Sequence, residues 1–239
     1  MLIDQIQYHT RSRNENLPAS YYNLACQIQN RGVYSFCMCP GGLIIPASTS
    51  SDELVLNGMS LSNRNSKFAN SGLVVQINES DLVKYKNFGV FAGLEYQKEF
   101  EHLAFIAGGQ SQTAPAQRVT DFVNGKLSNS LPDTSYIPGT VSSPLHEIIP
   151  KDISNRLRKG LFQFGKRMKG YFTDDAQILA AETRTSSPVR VLRDKESLMS
   201  VNIQGLFPSG EGAGYAGGIV SAAIDGERCA EAVKKFISI

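Results

Sequence analysis

Five glycines stand between Gly210 and Gly218, within the run Gly205-Leu206-Phe207-Pro208-Ser209-Gly210-Glu211-Gly212-Ala213-Gly214-Tyr215-Ala216-Gly217-Gly218-Ile219. No other stretch constrains the fold as tightly. An apolar strand is expected over Val201–Leu206, running into the glycine-rich loop. The loop should open a helix of small residues from about Ala216 to Phe236, burying Ile219, Ala222, Ala223, Cys229, Ala230, Val233 and Phe236. Glycines let a backbone approach a ligand and adopt positive φ. The free N–H groups and positive dipole end of the helix then face whatever is bound. Glu211 is the one acid of the loop, suited to accept hydrogen bonds from ligand hydroxyls or to cap its own loop. A bare strand-to-helix turn is the other reading of the same glycines.

Two phosphate-binding motifs are excluded. No Gly-Lys-Ser/Thr follows the loop, so it is not a Walker loop. Gly212-Ala213-Gly214-Tyr215-Ala216-Gly217 has the letters of the dinucleotide fingerprint, but the acid required on a second strand about twenty residues further on has no counterpart.

With 239 residues the chain is long enough for one large or two small domains. A net charge of +2 implies no polyanion partner, and no apolar stretch reaches the length of a membrane span. Residues 1–18 lack the long apolar core of a secretory lead. Cys37 and Cys39 are too closely spaced for an easy disulfide. Together these features suggest a reduced, cytoplasmic protein in which Cys26, Cys37, Cys39 and Cys229 are mostly buried thiols.

The first part reads as β-structure, with strands expected at Val33–Cys37, Leu43–Pro46, Leu54–Met59 and Leu73–Ile77. Cys39-Pro40-Gly41-Gly42 is expected to join two of them as a hairpin. After about residue 95 the pattern turns helical. Leu94, Phe100, Leu103 and Ala107 form a loose stripe ended by Gly108-Gly109, and a second helix is expected from near Ala116 to Gly125. Residues 129–150 read as an ordered surface connection. Ile153, Leu157, Leu161, Phe164 and Met168 mark an amphipathic helix with Asp152 in its first turn and Lys166, Arg167 and Lys169 in its last. A further strand is expected at Val189–Arg193. The fold class is therefore mixed α/β (α+β).

Long strings carry a resemblance. Ser209 to Gly226, SGEGAGYAGGIVSAAIDG, resembles the carboxy-terminal flavin-binding motif of flavoproteins with two dinucleotide-binding domains. More closely, it is similar to a bacterial family of uncharacterised FAD-dependent dehydrogenases. GVYSFCMCPGG (from Gly32), NGMS (from Asn57), ANSG (from Ala69), APAQR (from Ala114) and ETRTSSPVR (from Glu182) resemble the same family. The resemblance implies a Rossmann-like FAD-binding domain, of which residues 183–239 supply the closing strand-loop-helix. Residues 1–182 would form a substrate or cap region. It also implies an amino-terminal dinucleotide fingerprint, which this sequence lacks, so the chain reads as a carboxy-terminal piece of an FAD-dependent oxidoreductase. NAD(P)H is a candidate electron donor for the intact protein, and the substrate is unknown.

By the same resemblance Gly210 and Glu211 lie along the ribityl and phosphate region of FAD. Gly217, Gly218 and Ile219 start the helix aimed at the pyrimidine end of the flavin, where a helix N-terminus favours negative charge. Thr185, Ser186, Ser187 and Pro188 lie against the isoalloxazine, although such a string also suits a strand-entry turn. Arg184 and Arg190 could meet an anionic substrate or the flavin, or pair with Glu182 or Asp194. Cys37 and Cys39 are candidate substrate-side residues or plain structural thiols. His9, His102 and His146 are scattered, and no metal site is expected. The basic residues of the helix near 156–169 read as a solvated face rather than a nucleic-acid surface. A cofactor-free scaffold and a piece of an RNA-modifying flavoprotein are the competing readings.

Overall fold

The computed structural model describes residues 8–9, 16–18, 20, 22–64 and 66–238. The reading of residues 1–18 as no secretory lead lies largely outside them. Among the described residues eight strands are formed: β1 (Leu24–Ile28), β2 (Arg31–Cys39), β3 (Gly42–Pro46), β4 (Leu56–Ser60), β5 (Asn70–Val75), β6 (Ala114–Arg118), β7 (Thr140–Ser142) and β8 (Gln177–Leu179). The helices are α1 (Ala92–Ala107), α2 (Val119–Asn124), α3 (Leu145–Ile148), α4 (Lys151–Arg167) and α5 (Ile219–Ile237), with a 3-10 segment over Glu79–Phe91. The mixed α/β class expected from the sequence is what the chain adopts. It forms two compact units, Met1–Asn78 with Lys98–Thr183, and Glu79–Gln97 with Arg184–Ile239.

In the first unit β1 and β2 make a hairpin whose turn residues, Gln29 and Asn30, both have positive φ (50° and 62°). That is the backbone a two-residue hairpin prefers, because its twist matches the strands. β5 pairs on the other side of β2, giving the antiparallel order β1-β2-β5. Leu24, Cys26 and Ile28 alternate inward and meet α4, whose Leu157, Leu161 and Phe164 are buried as the stripe requires. A Cβ on Gly160 would stand 2.6 Å from Val33 Cγ1, so this helix position packs directly on the sheet.

Three expectations fail here for physical reasons. Cys39-Pro40-Gly41-Gly42 is a corner between sheets and not a hairpin, since β3 pairs with β4 alone. The β2–β5 register slips between Phe36 and Cys39, Cys37 takes a positive φ of 49°, and Pro40 offers no N–H to extend a ladder. Ala114–Arg118 forms a strand where a helix start near Ala116 was expected. It lies between β7 (parallel) and β8 (antiparallel), and the pairing overrides alanine's helix propensity. α2 begins only at Val119 and stops at Gly125, which is left-handed at φ 68°. Residues 129–150 are ordered but not a surface run. Tyr136 and Leu145 are buried, and the Tyr136 hydroxyl donates to the Gln112 carbonyl at 2.7 Å.

The basic residues of α4 are not merely a solvated face. Arg156 is buried and pairs with Asp152, Arg158 Nε donates to the Val123 carbonyl at 2.9 Å, and Arg167 donates to the Ala25 carbonyl. Lys166 sits over the Phe162 ring at 4.6 Å. Two of the four cysteines, Cys26 and Cys229, are buried, whereas Cys37 is exposed and Cys39 half-buried; none is in a disulfide.

In the second unit the expected strands at Val189–Arg193 and Val201–Leu206 do not form. One antiparallel bridge, Arg193 with Ser200, is all that joins them. Val201 and Ile203 are more than half exposed, and no strand edge of this unit among the described residues pairs with them. α5 starts at Ile219, not Ala216, and its inner face is built on Asp225 and Cys229, with Ile219 exposed. The closing element is thus a loop and helix without a preceding strand.

Candidate functional site

One buried ion pair organises the second unit. Arg193 donates to the Asp225 carboxylate in a fork, Nη2 to Oδ1 at 2.6 Å and Nη1 to Oδ2 at 3.0 Å. Nη1 also reaches the Pro208 carbonyl at 2.7 Å, and the guanidinium lies 3.7 Å from the centre of the Tyr215 ring. Asp225 Oδ2 accepts the Gly210 N–H at 2.8 Å. A carboxylate on the inner face of α5 therefore holds both the start of the glycine loop and the arginine that supports its middle. The Arg193 hydrogen bond, helped by the Gly210 N–H, holds the Asp225 carboxyl at about 2, well below its ordinary range. The same bond raises Arg193.

The loop closes on itself through Gly214 N–H to Glu211 O and Tyr215 N–H to Gly210 O, each 2.9 Å. Gly214 needs to be glycine twice over. Its φ is 82°, and a Cβ there would stand 2.7 Å from the Val189 carbonyl. Arg190 Nε donates to Gly214 O at 2.9 Å and Val191 N–H to Ala213 O at 3.1 Å.

The structure brings two of the sequence-derived segments together in this unit. Ser187 Oγ approaches Gly212 O at 3.3 Å and donates to Val189 O at 2.8 Å, which lays Ser187 and Pro188 beside the loop carrying Gly210, Glu211, Gly217, Gly218 and Ile219. Thr185 is half-buried and Ser186 exposed on the same stretch. The Gly210 N–H is already taken by Asp225, and the Gly217 N–H by Ser221 Oγ at 3.3 Å. Arg190 binds the loop carbonyl and not Asp194, whose carboxylate caps the Glu196 and Ser197 N–H groups. Arg184 is exposed. Arg193, Tyr215 and Asp225 were not singled out from the sequence. The available signal was Asp225 itself, an acid among the small residues Ala222, Ala223 and Gly226 of the helix.

The first unit holds a cavity of about 250 Å³, lined by residues of β2, β4, β5 and β8 together with Tyr22 and Tyr171. Cys37 lines it and Cys39 does not. One wall is a closed hydroxyl cluster. Tyr22 OH donates to Ser71 Oγ at 2.8 Å, while Ser35 Oγ lies 2.9 Å from both Ser71 Oγ and Tyr171 OH. Burial pushes the Tyr171 phenol far up, so this wall is neutral. Glu182 lines the cavity as well, and burial pushes its carboxyl up.

A glycine loop opening a helix of small residues closes the second unit, and comparison with known proteins gives the family. The chain matches the family described as FAD-dependent protein, C-terminal domain-like, over residues 1–185, and it belongs to that family. It is also 43% identical over 240 residues to an uncharacterised protein of Clostridium beijerinckii, an alignment that takes in 98% of this chain and 44% of that relative. The chain therefore spans less than half the length of the curated relative it matches. No helix among the described residues is long and apolar enough to cross a membrane.

Proposed function

We propose that this chain is the carboxy-terminal part of an FAD-dependent oxidoreductase, and that the loop Gly210–Gly218 with the first turn of α5 seats the flavin-bearing end of FAD. The observation that carries the reading is a set of glycines with no internal reason to be glycine. A Cβ on Gly212 or Gly217 would meet nothing within 4 Å, and one on Gly218 only the Ser221 hydroxyl at 3.9 Å. None of the three has the positive φ that would require glycine. Their bareness keeps the backbone open on the outside, where a planar ligand can lie against it. α5 begins there without a side-chain cap, so its first N–H groups are available to a polar or anionic ligand.

When bound, FAD supplies acceptance and return of two electrons. The chain's own residues do the rest. Gly218 and Ile219 present backbone N–H donors, Ser187 and Pro188 border the loop, and Arg193 with Asp225 hold its shape. Arg193 is neutralised by Asp225, so the positive charge beside the loop is that of Arg190, which favours an electron-rich ligand. NAD(P)H and an organic substrate are the two candidate electron donors. The test is titration of the purified chain with FAD, followed by flavin fluorescence and visible absorption. Saturable binding abolished by Gly218→Val is expected. A cooperatively folded chain that does not bind FAD, or one in which Gly218→Val binds as well as the parent, would overturn the loop as a flavin seat in its own right.

A further inference from the structure

We propose that the cavity of the first unit binds a small organic amine, its N–H groups taken by the Glu182 carboxyl and the Gln177 side-chain carbonyl. As a substrate site it rests on the oxidoreductase reading; as a binding site it stands on the geometry alone.

The charge of the lining points to the ligand. Among the described residues that line the cavity are Asp133, Asp175 and Glu182, and no lysine, arginine or histidine. A pocket for a phosphate or a carboxylate needs a cation or a set of converging N–H donors. This one offers the reverse. Asp133 is exposed and already paired with Lys67 at 3.1 Å. Glu182 is the more buried acid, and no ion pair to it is found among the described residues. Its position is made by a glycine: a Cβ on Gly72 would stand 2.9 Å from Glu182 Oε2.

The neutral groups agree. Gln177 Nε2 donates to the Pro132 carbonyl at 3.0 Å, which fixes the orientation of the amide and turns Oε1 into an acceptor. That oxygen is buried without a hydrogen-bond partner, as is Asn70 Nδ2. Both residues line the cavity. Buried polar atoms are nearly always satisfied, so the unpartnered Gln177 oxygen marks a place for a ligand's N–H; the Asn70 orphan is itself a donor and takes no part in holding an ammonium. The hydroxyls of Tyr22, Ser71 and Tyr171 are occupied with one another and with Ser35, so they do not compete for it. An ammonium group would meet Glu182 and Gln177 Oε1, while the apolar body would lie against Ile44, Phe68 and Leu179. The upward push on the Glu182 carboxyl, caused by burial, is what an incoming cation would reverse.

Calorimetric titration of the full chain, without flavin, with benzylamine, benzyl alcohol and sodium benzoate tests this. Benzylamine should saturate, benzyl alcohol should bind about tenfold more weakly or worse, and benzoate should not compete. Glu182→Gln should lower benzylamine affinity about tenfold or more and leave benzyl alcohol unchanged. The ligand series uses the unaltered protein, so it decides the matter even where a variant misfolds. Absence of saturation by benzylamine, equal binding of benzoate, or benzylamine binding indifferent to Glu182→Gln would each overturn the proposal. Because no flavin is present, amine binding without FAD binding would remove the flavin-seat reading alone, and the converse would remove only this site.

Discussion

Replacing Asp225 by asparagine takes one negative charge from the centre of the second unit while keeping the side chain's shape. The pair it breaks is well shielded, with the side chains of Arg193 and Asp225 only 8% and 10% exposed. A carboxyl held at about 2 against an ordinary 3.8 corresponds, at ~1.36 kcal/mol per pH unit, to about 2.5 kcal/mol of stabilisation as an upper figure. Asparagine can still accept the Gly210 N–H, but it leaves the Arg193 charge buried without its counterion, a situation that costs about 3–5 kcal/mol when a buried pair is fully broken. Because asparagine keeps the Gly210 contact and Arg193 keeps the Pro208 carbonyl, the loss should lie near the lower of these figures, so Asp225→Asn should destabilise the second unit by about 2–3 kcal/mol at neutral pH. The chain has no tryptophan. A Phe236→Trp background, where the native ring meets Phe207 edge-on at 5.8 Å, therefore gives urea unfolding a reporter confined to this unit. The pH dependence isolates the cause. A carboxyl whose native pKa is lowered contributes stability above 3.8 and loses it as pH falls toward about 2. The stability gap between the parent and Asp225→Asn should thus be full above pH ~4 and narrow steadily toward pH ~2. A gap that stays constant over that range, or no gap at neutral pH, would refute the claim that this charge pair organises the loop.

Gly214→Ala should cost more than about 1 kcal/mol in the same assay, because φ is 82° and the new methyl would press on Val189 O, whereas Gly212→Ala, facing open space, should stay within about 0.5 kcal/mol. Gly160→Leu should destabilise the first unit by about 1–3 kcal/mol by overpacking against the fully buried Val33, read as a fall in the cooperative urea midpoint by circular dichroism. Glu182→Gln should stabilise the unliganded chain at neutral pH. Burial raises this carboxyl, so its contribution is present below 4.5 and is lost as pH rises, and the variant's advantage should vanish near pH 4 in thermal melts.

The parts legible in the sequence are those whose signal is local. The stripe from Ile153 to Met168, with its charged ends, specifies α4 because a helix buries one face whatever it packs against. The glycine loop was visible for the same reason, since its constraint is carried by the backbone itself. What failed depended on partners. Alternation at Val189–Arg193 and Val201–Leu206 is compatible with a strand, but a strand needs a neighbouring edge, and the unit supplies a single bridge. Ala114–Arg118 met the opposite fate, alanine-rich yet recruited into a sheet by β7 and β8. The loop's anchor stayed hidden because Asp225 lies 15 residues from Gly210 and 32 from Arg193, spacings that no short motif encodes. The cavity is less legible still. Asn70 lies far along the chain from Gln177 and Glu182, and only folding shows that one amide atom of Asn70 and one of Gln177 lack partners.

The reach of the family match sharpens where each activity is to be sought. It covers residues 1–185, and the first unit ends at Thr183. The cavity lies within the residues that the family model matches and the loop and α5 lie beyond them, while the alignment with the Clostridium beijerinckii protein takes in 98% of the chain. The two features also differ physically, as the proposed flavin seat and amine pocket require. The loop is half-buried, exposed at Gly212 and Gly217, and has Arg190 against it, as the proposed seat for a large planar ligand of electron-rich character requires. The cavity is small and bears acids and an unpartnered Gln177 carbonyl oxygen, suited to a compact ligand with N–H donors. An oxidoreductase needs both kinds of site, and neither can substitute for the other. Binding of FAD that is sensitive to Gly218 but indifferent to Glu182, together with amine binding of the opposite sensitivity, would be the signature of that division.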